Sequence, residues 1–221
     1  CQVCAGSAGL PGQIQEIDFI IGKDFLITAH YENIAALHDL AKVFAVDKVT
    51  EKSKYKMNAG LLFLHIVREL YNITETNLED INIKLREIER NIFVGRHKEM
   101  VVRLAEINHD LLDYHSTLKV HQEILTSFSA TSKELFGERF YHHTGSILGL
   151  YDKIWGMIEH NRSFFNDLRQ TNESLLSIRT NETIKTLTVL AFVFLPFNII
   201  LQMFGTNTNI PFSDNPLSFL L

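Results

Sequence analysis

The sequence predicts an α+β fold that is predominantly helical: a small β-hairpin or sheet portion, antiparallel helices, and one very long stalk helix continuing into a transmembrane helix. Three observations predict it. An early run rich in β-branched and aromatic residues is broken by a glycine turn, three apolar seams then repeat at steps of three and four, and the nineteen residues from Thr186 to Phe204 carry no charge. The prolines are Pro11, Pro196, Pro211 and Pro216, so the interior from Gly12 to Leu195 permits long helices.

The first element is a hairpin over about 14–31. IDFII and FLITAHY flank Gly22-Lys23-Asp24, with the composition of paired strands around a tight turn. Asn33 to Val46 reads as a short amphipathic helix, the first of the helices expected over about 33–128. Leu78, Ile81, Leu85, Ile88 and Ile92 form one helical seam, and Leu104, Ile107, Leu111, Tyr114 and Leu118 form another. Gly95, followed by Arg96-His97-Lys98, marks the break between two antiparallel helices.

The third seam runs through Ile147, Tyr151, Ile154, Ile158, Phe165, Leu168 and Leu175, with Asn161 and Asn172 also on it. These asparagines either fix register or oligomer order in a bundle, or are solvent-facing or locally satisfied amides. No stop signal follows before Gly205. The prediction is one helix from about Gly137 to Phe204, roughly 100 Å long.

The uncharged run spans roughly 28 Å as a helix, close to the ~30 Å hydrocarbon core of a bilayer. Arg162, Arg169, Arg179 and Lys185 precede it, and no Lys or Arg follows, so the N-terminal side is cytoplasmic by the positive-inside rule. The resulting organisation is a partial cytoplasmic domain at 1–136, a stalk helix at 137–185, a first membrane helix at 186–205 and an outside loop at 206–216. Residues 217–221 then begin a second apolar segment.

Within the run, Thr188, Asn198 and Gln202 fall in a sector of roughly 80° together with Ala191 and Leu195. Leu190, Phe194, Phe197, Ile200, Leu201 and Phe204 lie opposite. Amides are costly in hydrocarbon, so this stripe faces either a partner helix or a water-filled pore. Pro196 does not separate these two, because proline is tolerated in membrane helices.

Composition limits the alternatives. With 221 residues, 46% hydrophobic and 21% charged, the chain holds one sizeable soluble domain plus a membrane segment. A net charge of −5 without a basic stripe excludes nucleic acid as a partner. Cys1 and Cys4 form a C-x-x-C pair beside a Gly-Ala-Ser stretch, which reads as a fragment end rather than a redox or metal site. His109, His115 and His121 do not share a helix face, so histidines default to solvent-facing positions. No hydrolase, metalloprotease or phosphate-loop signature supports an enzyme.

The segment NETIKTLTVLAFVFLPFNIILQMFGTN resembles the first membrane helix of the CorA-type two-transmembrane magnesium channels. That family's helix carries an N-E-x-x-K-x-L-T start, a mid-helix proline and a terminal Gly-Met-Asn. Here Asn181, Glu182, Lys185, Leu187, Thr188, Pro196, Gly205 and Asn207 match in order. IDFIIGKDFLITAHYENIAALHDL and LEDINIKLREIERNIF are similar to the family's cytoplasmic domain, so the resemblance covers nearly the whole chain. Part of that domain is expected before Cys1, and most of a second membrane helix after Leu217.

The resemblance implies a homopentamer in the cell membrane, multi-pass when complete, conducting hydrated Mg²⁺ down the membrane potential with no cofactor. Its partners would be itself, the lipid bilayer and divalent cations. Asn207 would form the selectivity ring, with Gly205 and Thr206 shaping its loop. Asn181, Ile184, Leu187, Thr188, Ala191, Leu195, Asn198 and Gln202 would line the pore, with Asn198 a second polar ring and Ile184, Leu187 and Leu195 its constrictions.

Two positions depart from the family pattern. Thr206 replaces the usual methionine, which keeps Co²⁺, Ni²⁺ or Zn²⁺ open beside Mg²⁺. Gln170 stands where the family has a regulatory carboxylate, so that site is absent, altered, or moved to Asp167 or Glu173. The loop NTNIPFSDNP offers only Asp214 as an acidic attractor. A membrane-anchored sensor or assembly protein that lost conduction is the rival reading.

Overall fold

The computed structural model describes residues 2–4, 14–31, 37–38 and 58–205. Among them, strands β1 (Gln2–Cys4), β2 (Ile14–Ile21) and β3 (Leu26–His30) form an antiparallel sheet in the order β1-β2-β3. Helices α1 (Ala59–Val94), α2 (His97–Lys119), α3 (His121–Phe136) and α4 (Glu138–Gly205) follow. The expected hairpin is present, with Ile17 opposite His30 and Ile21 opposite Leu26. Its turn closes when the Gly22 N–H donates to the Phe25 carbonyl at 2.8 Å, and a Cβ on Gly22 would overlap the Phe25 ring.

Residues 2–4, read from sequence as part of a fragment end, form a third strand whose Cys4 pairs with Ile14. Cys1 lies outside the described residues. So does most of the helix expected at Asn33 to Val46, of which Leu37 and His38 are described, both helical. Strand alternation points Ile17 and Phe19 towards the helices. Ile17 is fully buried with Ile66 and Leu70, and Phe19, Leu26, Leu37 and Leu62 pack around them.

The helices begin and end where their caps allow. Asn58 starts α1 by accepting the Leu61 N–H on its Oδ1 at 2.8 Å. Gly95 ends α1 in the left-handed region (φ 97°), and the Gly95 and Arg96 N–H groups donate back to the Ile92 and Asn91 carbonyls, both at 3.0 Å. That is a Schellman ending, which a residue with a Cβ enters only at a cost. Gly137, also at positive φ, separates α3 from α4.

All three seams are buried as the heptad pattern requires, with Leu175 alone half-exposed. A row of ring contacts joins the layers at one end: Phe19 to Phe63 at 5.1 Å, Phe63 to Phe128 at 4.7 Å, and Phe136 to Phe140 at 4.7 Å. Gly60 lies so close to the Phe136 and Phe140 rings that a Cβ would overlap them.

The polar residues on these seams are satisfied inside the chain. Asn161 donates from Nδ2 to the Leu78 carbonyl and accepts from Asn82 Nδ2 on its Oδ1, each at 2.9 Å. Asn172 meets His97 twice, through Oδ1 to the ring Nδ1 at 3.0 Å and from Nδ2 to the His97 carbonyl at 3.2 Å. Of the readings left open for these asparagines, solvent exposure is excluded and register between helices is supported.

The expectation of solvent-facing histidines fails for His97 and His121, both almost fully buried. His121 Nδ1 lies 3.0 Å from the Tyr71 hydroxyl, and burial pushes that phenol well above its ordinary pKa. The physical reason is periodicity. Extending the second seam by its own steps gives His97, Met100, Leu104, Ile107, Leu111, Tyr114, Leu118, His121 and Leu125, so both histidines sit on the core-facing line.

The chain divides into two compact units, Cys1–Asn172 and Glu173–Leu221. The third seam ends at Leu175 for a reason visible in the sequence. Its next steps after Leu175 are Arg179 and Glu182, which are exposed.

Candidate pore segment

In the second unit the described residues are the last part of α4, Glu173 to Gly205, and the membrane-length run lies wholly within it. Every residue from Ser177 to Gly205 is exposed. A helix made of Leu, Ile, Val and Phe on most sides, with none of them covered by its own chain, requires lipid or other protein around it.

The approach to the run is lined with threonines whose hydroxyls are already used. Thr180, Thr183, Thr186 and Thr188 donate to the carbonyls of Leu176, Arg179, Glu182 and Ile184 at 2.9, 3.0, 3.0 and 2.8 Å. This back-bonding satisfies the one hydrogen each hydroxyl must place, which removes most of its cost in an apolar setting. The oxygen lone pairs remain as acceptors on the helix surface. Pro196 withholds an N–H from the Phe192 carbonyl, yet the helix continues to Gly205.

Advancing about 100° per residue, Asn181, Ile184, Leu187, Thr188, Ala191, Leu195, Asn198, Gln202 and Gly205 occupy one sector of about 120°. The sector carries every side-chain amide between Asn181 and Gly205. Glu173 lies on the same line as Ala191, eighteen residues or about five turns away. Thr206 and Asn207, the Asp214 loop and residues 217–221 lie outside the described residues.

Asp167, Gln170 and Glu173 are all exposed on α4. Among the described residues, no group of three or more His, Cys, Asp or Glu side chains is arranged to hold a metal ion. The structure therefore brings the predicted pore positions onto one helix face and leaves the regulatory candidates as separate surface side chains.

A family model described as CorA-like Mg²⁺ transporter protein matches residues 5–221, almost the entire chain. The chain belongs to the CorA-like transporter family. Among relatives, the cobalt/magnesium transport protein CorA of Methanocaldococcus jannaschii is 24% identical over 91% of this chain and 63% of its own length. That of Thermotoga maritima is 24% identical over 73% of this chain and 48% of its own length. The chain thus spans about half to two-thirds of these CorA relatives.

Two solved structures agree in fold. The complete M. jannaschii CorA magnesium transporter aligns with a TM-score of 0.70 at 19% identity, over 93% of this chain and 69% of that one. The full-length CmaX protein aligns with a TM-score of 0.77 at 16% identity, over 97% of this chain and 65% of that one. At these identities the structural likeness supports the fold, and residue roles rest on the chemistry of this sequence.

Proposed function

We propose that this chain is the pore-forming portion of a divalent-cation channel, with Mg²⁺ its first substrate and Co²⁺, Ni²⁺ or Zn²⁺ the alternatives. The single observation that carries the reading is the polar sector of α4, an amide-bearing line on a helix otherwise fit for lipid. In a homopentamer, five such sectors face a common axis and the apolar remainder of each helix meets lipid or its neighbour. The domain preceding the run lies in the cytoplasm, as the lysine and arginine distribution favours.

The amide chemistry suits a hydrated ion. Mg²⁺ sheds water reluctantly and prefers octahedral oxygen ligands at about 2.0–2.1 Å, so neutral carbonyls from Asn207 and then Asn198 hold its water shell without stripping it. Binding by carboxylates at those positions would trap the ion, whereas conduction needs weak binding at several sites. An inside-negative potential of about 100 mV favours entry of a divalent ion by about 4.6 kcal/mol. Ile184, Leu187 and Leu195 narrow the path between the polar rings, and Thr206 tunes the loop that presents Asn207.

The test uses full-length protein in liposomes loaded with a Mg²⁺ indicator. Influx under an inside-negative potential is expected, and Asn207→Ala should abolish or degrade its selectivity. A well-folded pentamer with no flux would contradict the channel reading and favour a non-conducting sensor or assembly protein.

A further inference from the structure

We propose that His97 and Asn172 form a latch that pins the tip of the α1–α2 hairpin to α4 where its buried seam ends, and that conduction depends on this latch. The clause on conduction rests on the channel reading; the latch itself rests on geometry. Asn172 is the last residue of the first compact unit and the last buried position of the α4 seam. Beyond it the seam continues only to the half-exposed Leu175 before turning charged at Arg179 and Glu182.

The chemistry of the pair is directional. The His97 carbonyl can only accept, so it orients the Asn172 amide with Nδ2 towards it and Oδ1 towards the ring. The ring Nδ1 facing that oxygen therefore carries a hydrogen. His97 is the first residue of α2 and directly follows the Schellman ending at Gly95 and Arg96, so a rigid turn presents both its carbonyl and its ring. Each partner is nearly fully buried, and separating them leaves polar groups without water.

Substitutions then rank by the bonds they remove. Asn172→Leu keeps the volume of the side chain and loses both bonds. His97→Leu keeps the backbone carbonyl and loses only the ring bond. His97→Asn places an amide N–H near the position of Nδ1 and restores it.

The experiment is hydrogen exchange by mass spectrometry on the full-length protein in lipid, paired with the initial Mg²⁺ influx rate at equal pentamer content. Exchange over residues 97–101 and 168–176 should rise roughly tenfold in Asn172→Leu, less in His97→Leu, and stay near wild type in His97→Asn. Influx should fall at least about threefold in Asn172→Leu and recover in His97→Asn, a rescue that a purely volumetric role would not show. Unchanged exchange in Asn172→Leu overturns the latch. Raised exchange with unchanged influx overturns its coupling to the pore. A wild-type protein that conducts nothing contradicts the channel reading, while the exchange order still judges the latch. If Asn172→Leu does not fold, the two His97 variants decide by the same order.

Discussion

The two parts of α4 obey different rules of burial. Up to Asn172 the helix is a heptad strip whose apolar residues are covered by α1, α2 and α3 and whose buried polar residues Thr144, Asn161 and Asn172 each have a partner within the chain. From Ser177 onward every residue is exposed, though the sequence there is more apolar. The first part is solved by its own chain. The second is apolar without cover and polar along one line, so it requires lipid or other protein around it.

A charge tests this contrast most strongly. Ile154 is fully buried between helices, so Ile154→Asp should cost about 4 kcal/mol or more and abolish cooperative melting of the first unit. Phe194→Asp, on the lipid-directed side of the second part, should leave that melting unchanged and instead oppose membrane insertion by about 2.5–3.5 kcal/mol, measured by glycosylation mapping. Equal effects of the two would dissolve the distinction.

Asparagines sharpen it next. Asn161→Ala removes the bonds to the Leu78 carbonyl and the half-buried Asn82 amide and should destabilise by about 1 kcal/mol in a denaturant melt. Asn198→Ala should leave that melt within about 0.5 kcal/mol and reduce ion flux. The same residue type is bonded within the chain in one part and, under the proposed channel reading, faces the ion path in the other.

How much of this was legible follows from which signals are periodic. The seams, the Gly95 break and the full extent of α4 were readable, because steps of three and four repeat over many residues and glycine punctuates the turns. The burial of His97 and His121 is carried by their phase on the second seam and not by their residue type, which ordinarily faces solvent. The break at Val120 was hidden for a physical reason: its backbone stays in the right-handed helical region (φ −84°, ψ −14°), so no glycine or proline is needed. Strand β1 is three residues long, too short for any alternation to register. The polar line along the last part of α4 follows from helical spacing alone, whereas the pairing of Asn172 with His97 depends on residues 75 apart.

A backbone substitution gives a smaller effect. Gly95→Ala should cost about 1–2 kcal/mol, because φ 97° is unfavourable for an L-residue, and urea melts should shift without loss of helix content. The same change at Gly205, which has open space around it and no positive φ, should leave stability unchanged and act only on conduction.

The smallest effect is a titration in the first part. Burial, then Arg162, hold His115 below its ordinary pKa, against the pull of Glu159. The sign follows directly: its contribution to stability is complete above pH 6.5 and is lost as pH falls through the lowered folded value. Trp155, the single tryptophan, lies 5.0 Å from the His115 ring, so its fluorescence should change with a midpoint below 6.5, and His115→Gln should remove that transition.

The most direct test of the contrast is a cysteine scan of residues 186–204 in the full-length protein in membranes, with Cys1 and Cys4 replaced by serine and a water-soluble thiol reagent as probe. Modification is predicted at Leu187, Thr188, Ala191, Leu195, Asn198 and Gln202, with protection at Leu190, Phe194, Phe197, Ile200, Leu201 and Phe204. Uniform protection, or reactivity on the opposite side of the helix, would contradict an aqueous path along this face.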